Sequence, residues 1–293
     1  MSDNGNQPAF DVPFLLGMMR LHESHELSDP TRLADWIEAR LDDGLDWFDH
    51  ADIYGDREGE ALFGQALKKR PALKARVKIV TKTGIVLPAR DAAFGVKHYD
   101  TSPAYLESAV DAALARLGVE RLDHFLIHRP DPLMDVAATA EALDNAIDAG
   151  KVGAAGVSNF LPEQWRHLQC AMRHRLGVHQ LELSLARPEP LFDGLYDALI
   201  NDGQQPLAWS PMGGGSVFED VLGSALERLA SDFSVSSAGL ALAWLRRLPG
   251  QPVPVVGTLK ERRIGELVRD GSLALDRPTW FALLEEARSQ RVA

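Results

Sequence analysis

Residues 124–157 read HFLIHRPDPLMDVAATAEALDNAIDAGKVGAAGV, and this stretch decides the fold class. It opens with a short apolar run, His124 to Ile127, and continues with helical periodicity from Val136 to Ala149. Gly150 ends that helix, and a second apolar run follows from Val152 to Val157. Short apolar runs that alternate with helical stretches are typical of parallel β–α–β units. The stretch therefore predicts one such unit.

The same alternation runs along the whole chain. Further strands are predicted at Phe14–Met18, Leu45–Phe48, Val77–Thr81, Val178–Leu183, Pro206–Trp209 and Val253–Val256. Further helices are predicted at Thr31–Asp42, Glu60–Lys69, Pro103–Leu117, Pro162–Arg173, Leu191–Asn201, Leu222–Phe233 and Ala238–Arg247, with terminal helices at Ile264–Val268 and Pro278–Ala287. Eight strands with helices between them and no linker-like stretch predict an α/β fold, a single (β/α)8 barrel domain over residues 1–293 with additional C-terminal helices.

Composition excludes several classes of protein. The 293 residues carry 31 Lys and Arg against 42 Asp and Glu, a net charge of −11, which argues against binding to nucleic acid or to a membrane surface. The one cysteine, Cys170, allows no intrachain disulfide and no thiolate zinc site. Apolar runs are too short to span a bilayer, and the N-terminal residues lack the basic start of a signal peptide. We expect a cytoplasmic protein that is a monomer or a weak oligomer.

Polar side chains stand at the predicted strand ends, where barrel enzymes build their active sites. Asp49 and Tyr54 follow the second strand, Lys82 the third and His128 the fourth. A lysine at the end of a barrel strand is expected to be buried, and a buried lysine needs a partner of opposite charge. Asp49 is its natural partner. A nearby cation favours phenolate, so this pair is expected to lower the pKa of Tyr54 from roughly 10. Tyr54 would then donate a proton near neutral pH.

These residues resemble the catalytic tetrad of the aldo-keto reductases. The runs Asp49-His50-Ala51-Asp52-Ile53-Tyr54-Gly55, Leu126-Ile127-His128-Arg129-Pro130-Asp131 and Gly156-Val157-Ser158-Asn159-Phe160 are similar to family signatures in the expected order. The run from His128 to Asp135 is most similar to the bacterial branch of YdhF-like oxidoreductases.

The resemblance implies reduction of a small carbonyl substrate by NADPH, without a metal. It implies that Tyr54 is the general acid, that Lys82 and Asp49 tune it, and that His128 orients the carbonyl. The resemblance also assigns contacts to the cofactor: the carboxamide would be held by Ser158, Asn159 and Gln180, the ring would stack on Trp209, and Gly17 and Met18 would line the same site.

The phosphate end of the cofactor has its own candidates. Loops after strands seven and eight of a barrel, with a helix N-terminus, form its usual phosphate site. Glycines let backbone N–H groups approach a pyrophosphate. The resemblance aligns Arg263 with the arginine that holds the 2′-phosphate, and Gly257 replaces a lysine of many relatives, so we expect a moderate preference for NADPH. The candidates are Ser210, Met212, Gly213, Gly214 and Gly215 after strand seven and Gly257, Thr258, Lys260 and Arg263 after strand eight.

Two alternatives remain open. One is a metal-dependent barrel hydrolase using His50, Asp52, His98, His124 and His128. Against it, His124 and His128 lie four residues apart on one strand, roughly 13 Å, and Lys82 adds positive charge. The other is a nicotinamide-binding regulatory or redox-sensing protein with little turnover, because fold alone does not settle function.

One connection is longer than the rest. Residues 83–101, which include Phe94, His98 and Tyr99, separate the third strand from the third helix. Loops of this length are usually functional or disordered, and this one belongs to the end of the barrel that holds the site. The sequence assigns it no specific role.

Overall fold

The computed structural model describes residues 10–88 and 95–291. The strands are β1 Leu15–Gly17, β2 Trp47–Asp49, β3 Lys78–Thr83, β4 Ile85–Val86, β5 His98–Tyr99, β6 Leu122–Ile127, β7 Val152–Ser158, β8 Val178–Glu182, β9 Gln205–Trp209 and β10 Val253–Val256. Eight of them form a closed barrel in the order β1-β10-β9-β8-β7-β6-β3-β2. The predicted barrel class is therefore confirmed.

Ten α-helices occur in the part of the chain that the structure describes. They are α1 Pro30–Asp42, α2 Gly59–Lys69, α3 Pro103–Leu117, α4 Val136–Asp148, α5 Pro162–Ala171, α6 Leu195–Asn201, α7 Asp220–Asp232, α8 Ser237–Arg246, α9 Glu261–Asp270 and α10 Arg277–Arg288. Short 3₁₀ helices cover Leu21–Glu23, Pro71–Ala75, Glu189–Leu191 and Gly213–Phe218. None of the described helices is long and apolar enough to cross a membrane.

The contacts divide the chain into two compact units. Among the described residues, the first unit holds 10–12 and 17–179, and the second holds 13–16 and 180–291. The expectation of a single domain stays a prediction. In the first unit, β2, β3, β6 and β7 pair in parallel, and in the second unit, β10 pairs in parallel with β9 and β1.

Alternation along β3 places the side chains that matter for the site. Successive residues of a strand point to opposite faces. Lys82 is directed to Asp49 at the end of β2, whereas its neighbours Thr81 and Thr83 make contacts with Glu60 and Asp52. In register, Lys82 lies opposite Leu126 of β6, and Thr83 opposite Ile127, so His128 follows directly beyond the end of β3.

The structure adds detail to one sequence expectation and corrects another. In the long connection after β3, β4 and β5 pair in an antiparallel arrangement with Ile85 opposite Tyr99. Phe94 of this connection lies outside the described residues. The helix predicted over Leu191–Asn201 is interrupted, because Gly194 adopts φ 86° and the Asp193 carboxylate accepts a hydrogen bond from the Leu195 amide at the start of α6.

Candidate active site

A buried ion pair forms the centre of the site. Lys82 Nζ lies 2.7 Å from both carboxylate oxygens of Asp49 and 2.7 Å from the carbonyl oxygen of His50. Burial lowers the pKa of Lys82, but the charge of Asp49, the interaction with Tyr54 and hydrogen bonds to both raise it above its ordinary value. Lys82 therefore stays charged at neutral pH.

Tyr54 lies next to this pair. Lys82 Nζ is 5.3 Å from the centroid of the Tyr54 ring. Burial raises the pKa of Tyr54, and the opposing effect of Lys82 is smaller, so the phenol pKa lies above 10. The sequence expectation of a lowered pKa is thus wrong in its net direction. Burial destabilises the phenolate by more than the nearby ammonium group of Lys82 stabilises it. Tyr54 holds its proton at neutral pH.

His128 completes the group that the sequence predicted. Its ring centroid lies 6.2 Å from that of Tyr54, and the two rings meet edge to face at 84°. Burial, together with the positive charges of Lys82, Arg129 and Lys97, lowers the pKa of His128 to about 2. The imidazole is therefore neutral at physiological pH. The structure brings all four predicted tetrad residues into its first unit.

Ser158 and Asn159 lie at the end of β7, beside His128. The Asn159 side-chain amide donates to the carbonyl oxygen of His128 at 3.2 Å and to Ser158 Oγ at 2.8 Å. Asn159 adopts φ 62°, the left-handed region that a residue without glycine's freedom rarely enters. Strained backbone of this kind concentrates at functional sites.

The second unit holds the predicted ring-stacking and carboxamide residues. Gln180 lies in β8 and is buried, and Trp209 is half-buried at the end of β9. Ser210 follows with φ 49°. The structure thus places an aromatic side chain and a strained turn at the C-terminal end of this strand.

The glycine loop after β9 differs in detail from the expectation. Gly213, Gly214 and Gly215 all have positive φ, at 54°, 69° and 119°. The amides of Gly213 and Gly215, however, donate to the carbonyl oxygens of Ser210 and Met212 at 2.8 Å. Two of the three glycine N–H groups are therefore used inside the loop. A Cβ at Gly214 or Gly215 would meet no atom within 4 Å, so the loop leaves open space on that side.

The start of α9 is the stronger candidate for a phosphate site. Lys260 is its N-cap residue, and no side chain caps the helix there. Its first-turn amides, which have no partner within the helix, are thus available to an anion. Gly257 has open space around its Cα, and Thr258 Oγ1 accepts from the Lys260 amide at 3.4 Å. Arg263 is exposed and makes no ion pair with any residue in the described ranges.

Arg262, unlike Arg263, forms an ion pair within α9. Its guanidinium lies 2.5 Å from Glu266 Oε1 in an i,i+4 ion pair, and its side chain is 80% exposed. This pairing distinguishes Arg262 from the neighbouring Arg263, which the resemblance assigns to the cofactor.

Met18 is placed less favourably than expected. Its side chain is 1% exposed, whereas Met19 is 49% exposed, so Met19 is the methionine that a ligand could reach. Gly17 is also buried, and the Met18 amide donates to the carbonyl oxygen of Asp49 at 2.9 Å. Met18 thus supports the end of β2 through its backbone amide.

Sequence reasoning missed a second layer of polar contacts behind the site. Glu60 accepts hydrogen bonds from Thr81 and Arg116, and Asp52 accepts one from Thr83. The signal was available in β3, where polar Thr81 and Thr83 flank Lys82 on the opposite face. Over the residues that the structure describes, no group of three or more side chains is arranged to hold a metal ion.

Comparison with known proteins identifies the family. The sequence matches the Aldo/keto reductase family over residues 13–283. It is 41% identical to a 6-dehydroglucose reductase of Agrobacterium fabrum, covering 94% of each chain, and 37% identical to the oxidoreductase YdhF of Escherichia coli, covering 94% of this chain and 93% of YdhF.

Solved structures show the same fold. A thermostable aldo-keto reductase, Tm1743, in complex with the inhibitor epalrestat matches with a TM-score of 0.80 at 21% identity, over 97% of this chain and 98% of the other. An aldo/keto reductase of Klebsiella pneumoniae in complex with NADP and acetate matches with a TM-score of 0.76 at 22% identity, over 95% and 92%. On the family match and these identities, the chain is a member of the aldo/keto reductase family and of its YdhF-like branch.

Proposed function

We propose that this protein reduces aldehydes or ketones to alcohols with NADPH, with Tyr54 as the general acid. The observation that carries the proposal is the buried Lys82–Asp49 ion pair with the Tyr54 ring beside it and the His128 ring edge to face with Tyr54. A regulatory protein that only binds a nicotinamide has no need of this combination.

The four residues divide the work on the carbonyl group. The neutral His128 ring hydrogen-bonds the carbonyl oxygen and directs it to Tyr54. The Tyr54 hydroxyl gives its proton to that oxygen as negative charge develops there. The phenolate that results is stabilised by Lys82, whose charge Asp49 holds in place at 2.7 Å. Burial of the pair excludes water and strengthens this stabilisation.

The predicted cofactor residues suit NADPH, which when bound supplies the hydride that reduces the carbonyl carbon. Asn159 offers a side-chain oxygen to the carboxamide, and Trp209 offers a half-buried ring for stacking. The uncapped start of α9 and the exposed Arg263 offer N–H groups and a cation to a phosphate. Aldo-keto reductases of Klebsiella pneumoniae were solved in complexes with NADP and with NADPH, which supports the same choice here.

The substrate class that we propose is a polyhydroxylated aldehyde. Two relatives, at 41% and 36% identity, are 6-dehydroglucose reductases, and the alignment covers 94% and 96% of this chain. A panel for the first test therefore holds 6-dehydroglucose, simple aldehydes, ketones and quinones.

The experiment follows NADPH consumption over this panel beside a cofactor-binding titration. Tyr54→Phe keeps the ring and removes the proton donor, so we expect turnover to fall by roughly two to four orders of magnitude with little change in NADPH affinity. NADPH binding without turnover on any carbonyl would favour the regulatory alternative. Loss of activity on chelation, with recovery on adding zinc, would favour the metal-dependent alternative.

A further inference from the structure

The segment that carries Tyr54 is attached to β3 at several points. The His50 amide donates to the Val80 carbonyl at 2.8 Å, and the Asp52 amide donates to the Lys82 carbonyl at 2.9 Å. Thr83 Oγ1 donates to Asp52 Oδ2 at 2.6 Å. Asp52 thus binds the strand at two points, to the Lys82 carbonyl through its backbone amide and to Thr83 through its carboxylate.

The backbone after Tyr54 needs such an attachment. Gly55, Asp56 and Arg57 follow one another with φ of 60°, 52° and 76°. Two of these residues are not glycine, so the turn is strained and persists only if the surrounding structure enforces it. The Asp52–Thr83 contact lies immediately before this turn and anchors its entry.

We propose that Asp52 is a positioning residue that fixes Tyr54 against Lys82 through Thr83, and that the charge on Asp52 sets how firmly Tyr54 is held. The effect on catalysis rests on the proposed carbonyl reduction, whereas the effect on Tyr54 does not.

The surroundings of Asp52 make its charge adjustable. Burial raises the pKa of Asp52 to about 6, with the hydrogen bond from Thr83 acting against it. Of the charged groups that face it, Glu60 on α2 raises the pKa, and Arg116 on α3 and Arg57 in the turn lower it. Asp52 Oδ1 is buried and has no hydrogen-bond partner among the described residues.

Protonation of Asp52 weakens the attachment. A hydroxyl donates more strongly to a carboxylate than to a neutral acid, so the Thr83 contact loosens as pH falls through about 6. None of the proposed acid and base groups titrates there, since the pKa of His128 is about 2 and those of Tyr54 and Lys82 are raised above their ordinary values. A pH response near 6 at Tyr54 is therefore assigned to Asp52 only if it is lost in Asp52→Asn.

The first test observes Tyr54 directly and needs no substrate. The chain has four tyrosines, so protein labelled with ring-¹³C tyrosine gives few signals, and Tyr54→Phe assigns the one of interest. We expect the Tyr54 signal of the wild type to move between pH 5 and 8 with a midpoint of about 6. In Asp52→Asn it should not move.

Two internal controls make this test decisive. Tyr105 on α3 lies next to Asp52 and hydrogen-bonds Thr83, so its signal reports the ionisation of Asp52 itself. A Tyr105 signal that titrates while Tyr54 stays still would overturn the positioning role. Asp144→Asn changes another carboxylate, a more deeply buried one that accepts from the Arg173 and His174 amides, and it should leave the Tyr54 titration unchanged.

The second test measures turnover. Misplacement of a catalytic group costs up to about a hundredfold, so we expect kcat of Asp52→Asn to fall roughly ten- to a hundredfold at pH 7.5 and to be flat from pH 5 to 8. Wild-type kcat should fall toward that level below pH 6, with KM for NADPH unchanged. Thr83→Val should lower kcat similarly, and Thr83→Ser should restore it.

The outcomes separate the two proposals. A wild type that reduces no carbonyl at any pH contradicts the proposed function, and the tyrosine titration then still decides the role of Asp52. An active wild type whose pH profile is the same as that of Asp52→Asn overturns the inference and leaves the proposed function intact.

Discussion

Lys82 Nζ lies 2.7 Å from both carboxylate oxygens of Asp49, and neither side chain is more than 3% exposed. Removing one partner from such a pair leaves an uncompensated buried charge, which costs about 3–5 kcal/mol. We therefore expect Lys82→Met to lower the free energy of unfolding by that amount, measured by denaturant titration. The double variant Asp49→Leu with Lys82→Met should recover most of the loss, and a double variant as unstable as the single one would contradict this account.

Lys82 also sets how readily Tyr54 becomes phenolate. The ammonium lowers the pKa of Tyr54, against the larger effect of burial. Lys82→Met should therefore raise this pKa further and move the alkaline limb of alcohol oxidation, in which phenolate is the base, to higher pH. The measurement is the pH profile of the residual oxidation activity. An alkaline limb at the wild-type position would show that the two side chains are not coupled.

Acid should destabilise the protein from pH 6.5 downward. Burial lowers the pKa of His50, His124 and His128 from 6.5 to about 3, 4 and 2. Between pH 6.5 and 4 the unfolded chain therefore binds up to three more protons than the native protein at these sites, and stability falls with pH. Asp52 opposes this loss of stability between about pH 6 and 4. Its raised pKa lets the native state take up a proton that the unfolded state does not bind in this range.

The net uptake on unfolding is then roughly two protons near pH 5, or about 2.7 kcal/mol of stability lost for each pH unit. Denaturant titrations at intervals from pH 7.5 to 5 measure this slope. His124→Leu removes one of the three imidazoles and should reduce the slope by about half. Equal stability at pH 7.5 and 5 would show that these imidazoles take up protons in the native protein.

A tryptophan pair should hold α8 to α10 in the second unit. Trp244 and Trp280 stack with ring centroids 4.9 Å apart and planes within 4°, and each indole N–H donates to the carbonyl oxygen of the other, at 3.2 and 2.9 Å. Trp280→Phe keeps a ring and removes one donor, so it should cost about 1–3 kcal/mol of unfolding free energy, since one buried carbonyl loses its partner. A double-mutant cycle with Trp244→Phe should show coupling, and purely additive losses would contradict a joint role.

The barrel could be predicted from sequence because each strand and helix carries its own periodicity, and the ends of parallel strands converge whatever the side-chain details. Asp49, Lys82 and His128 stand at such ends, so their proximity followed from topology. The net direction of the pKa shift of Tyr54 could not be predicted, because it depends on how deeply the phenol is buried. The contact of Asp52 with Thr83 could not be predicted either, because it depends on how the backbone after β2 is placed, which a hydrophobic pattern does not determine. The same holds for the hydrogen bond that the Gly213 amide makes within its own loop.

Arg263 should decide the choice between NADPH and NADH, which differ by one 2′-phosphate. Arg263 is exposed in the first turn of α9, where no side chain caps the helix and the helix dipole favours an anion. Arginine can hold a phosphate with two parallel N–H bonds, and a charge-assisted hydrogen bond contributes about 1.5–3 kcal/mol, or roughly ten- to a hundredfold in affinity. Arg263→Ala should weaken NADPH binding by that factor and leave NADH binding almost unchanged, as measured by fluorescence titration of both cofactors.

Arg262→Ala is the matched control, because Arg262 is paired with Glu266. It should change neither affinity by more than about twofold, since surface ion pairs contribute little. Equal weakening of both cofactors by Arg263→Ala would indicate a structural role for this arginine, and a wild type that prefers NADH would overturn the assignment of the α9 start to the 2′-phosphate.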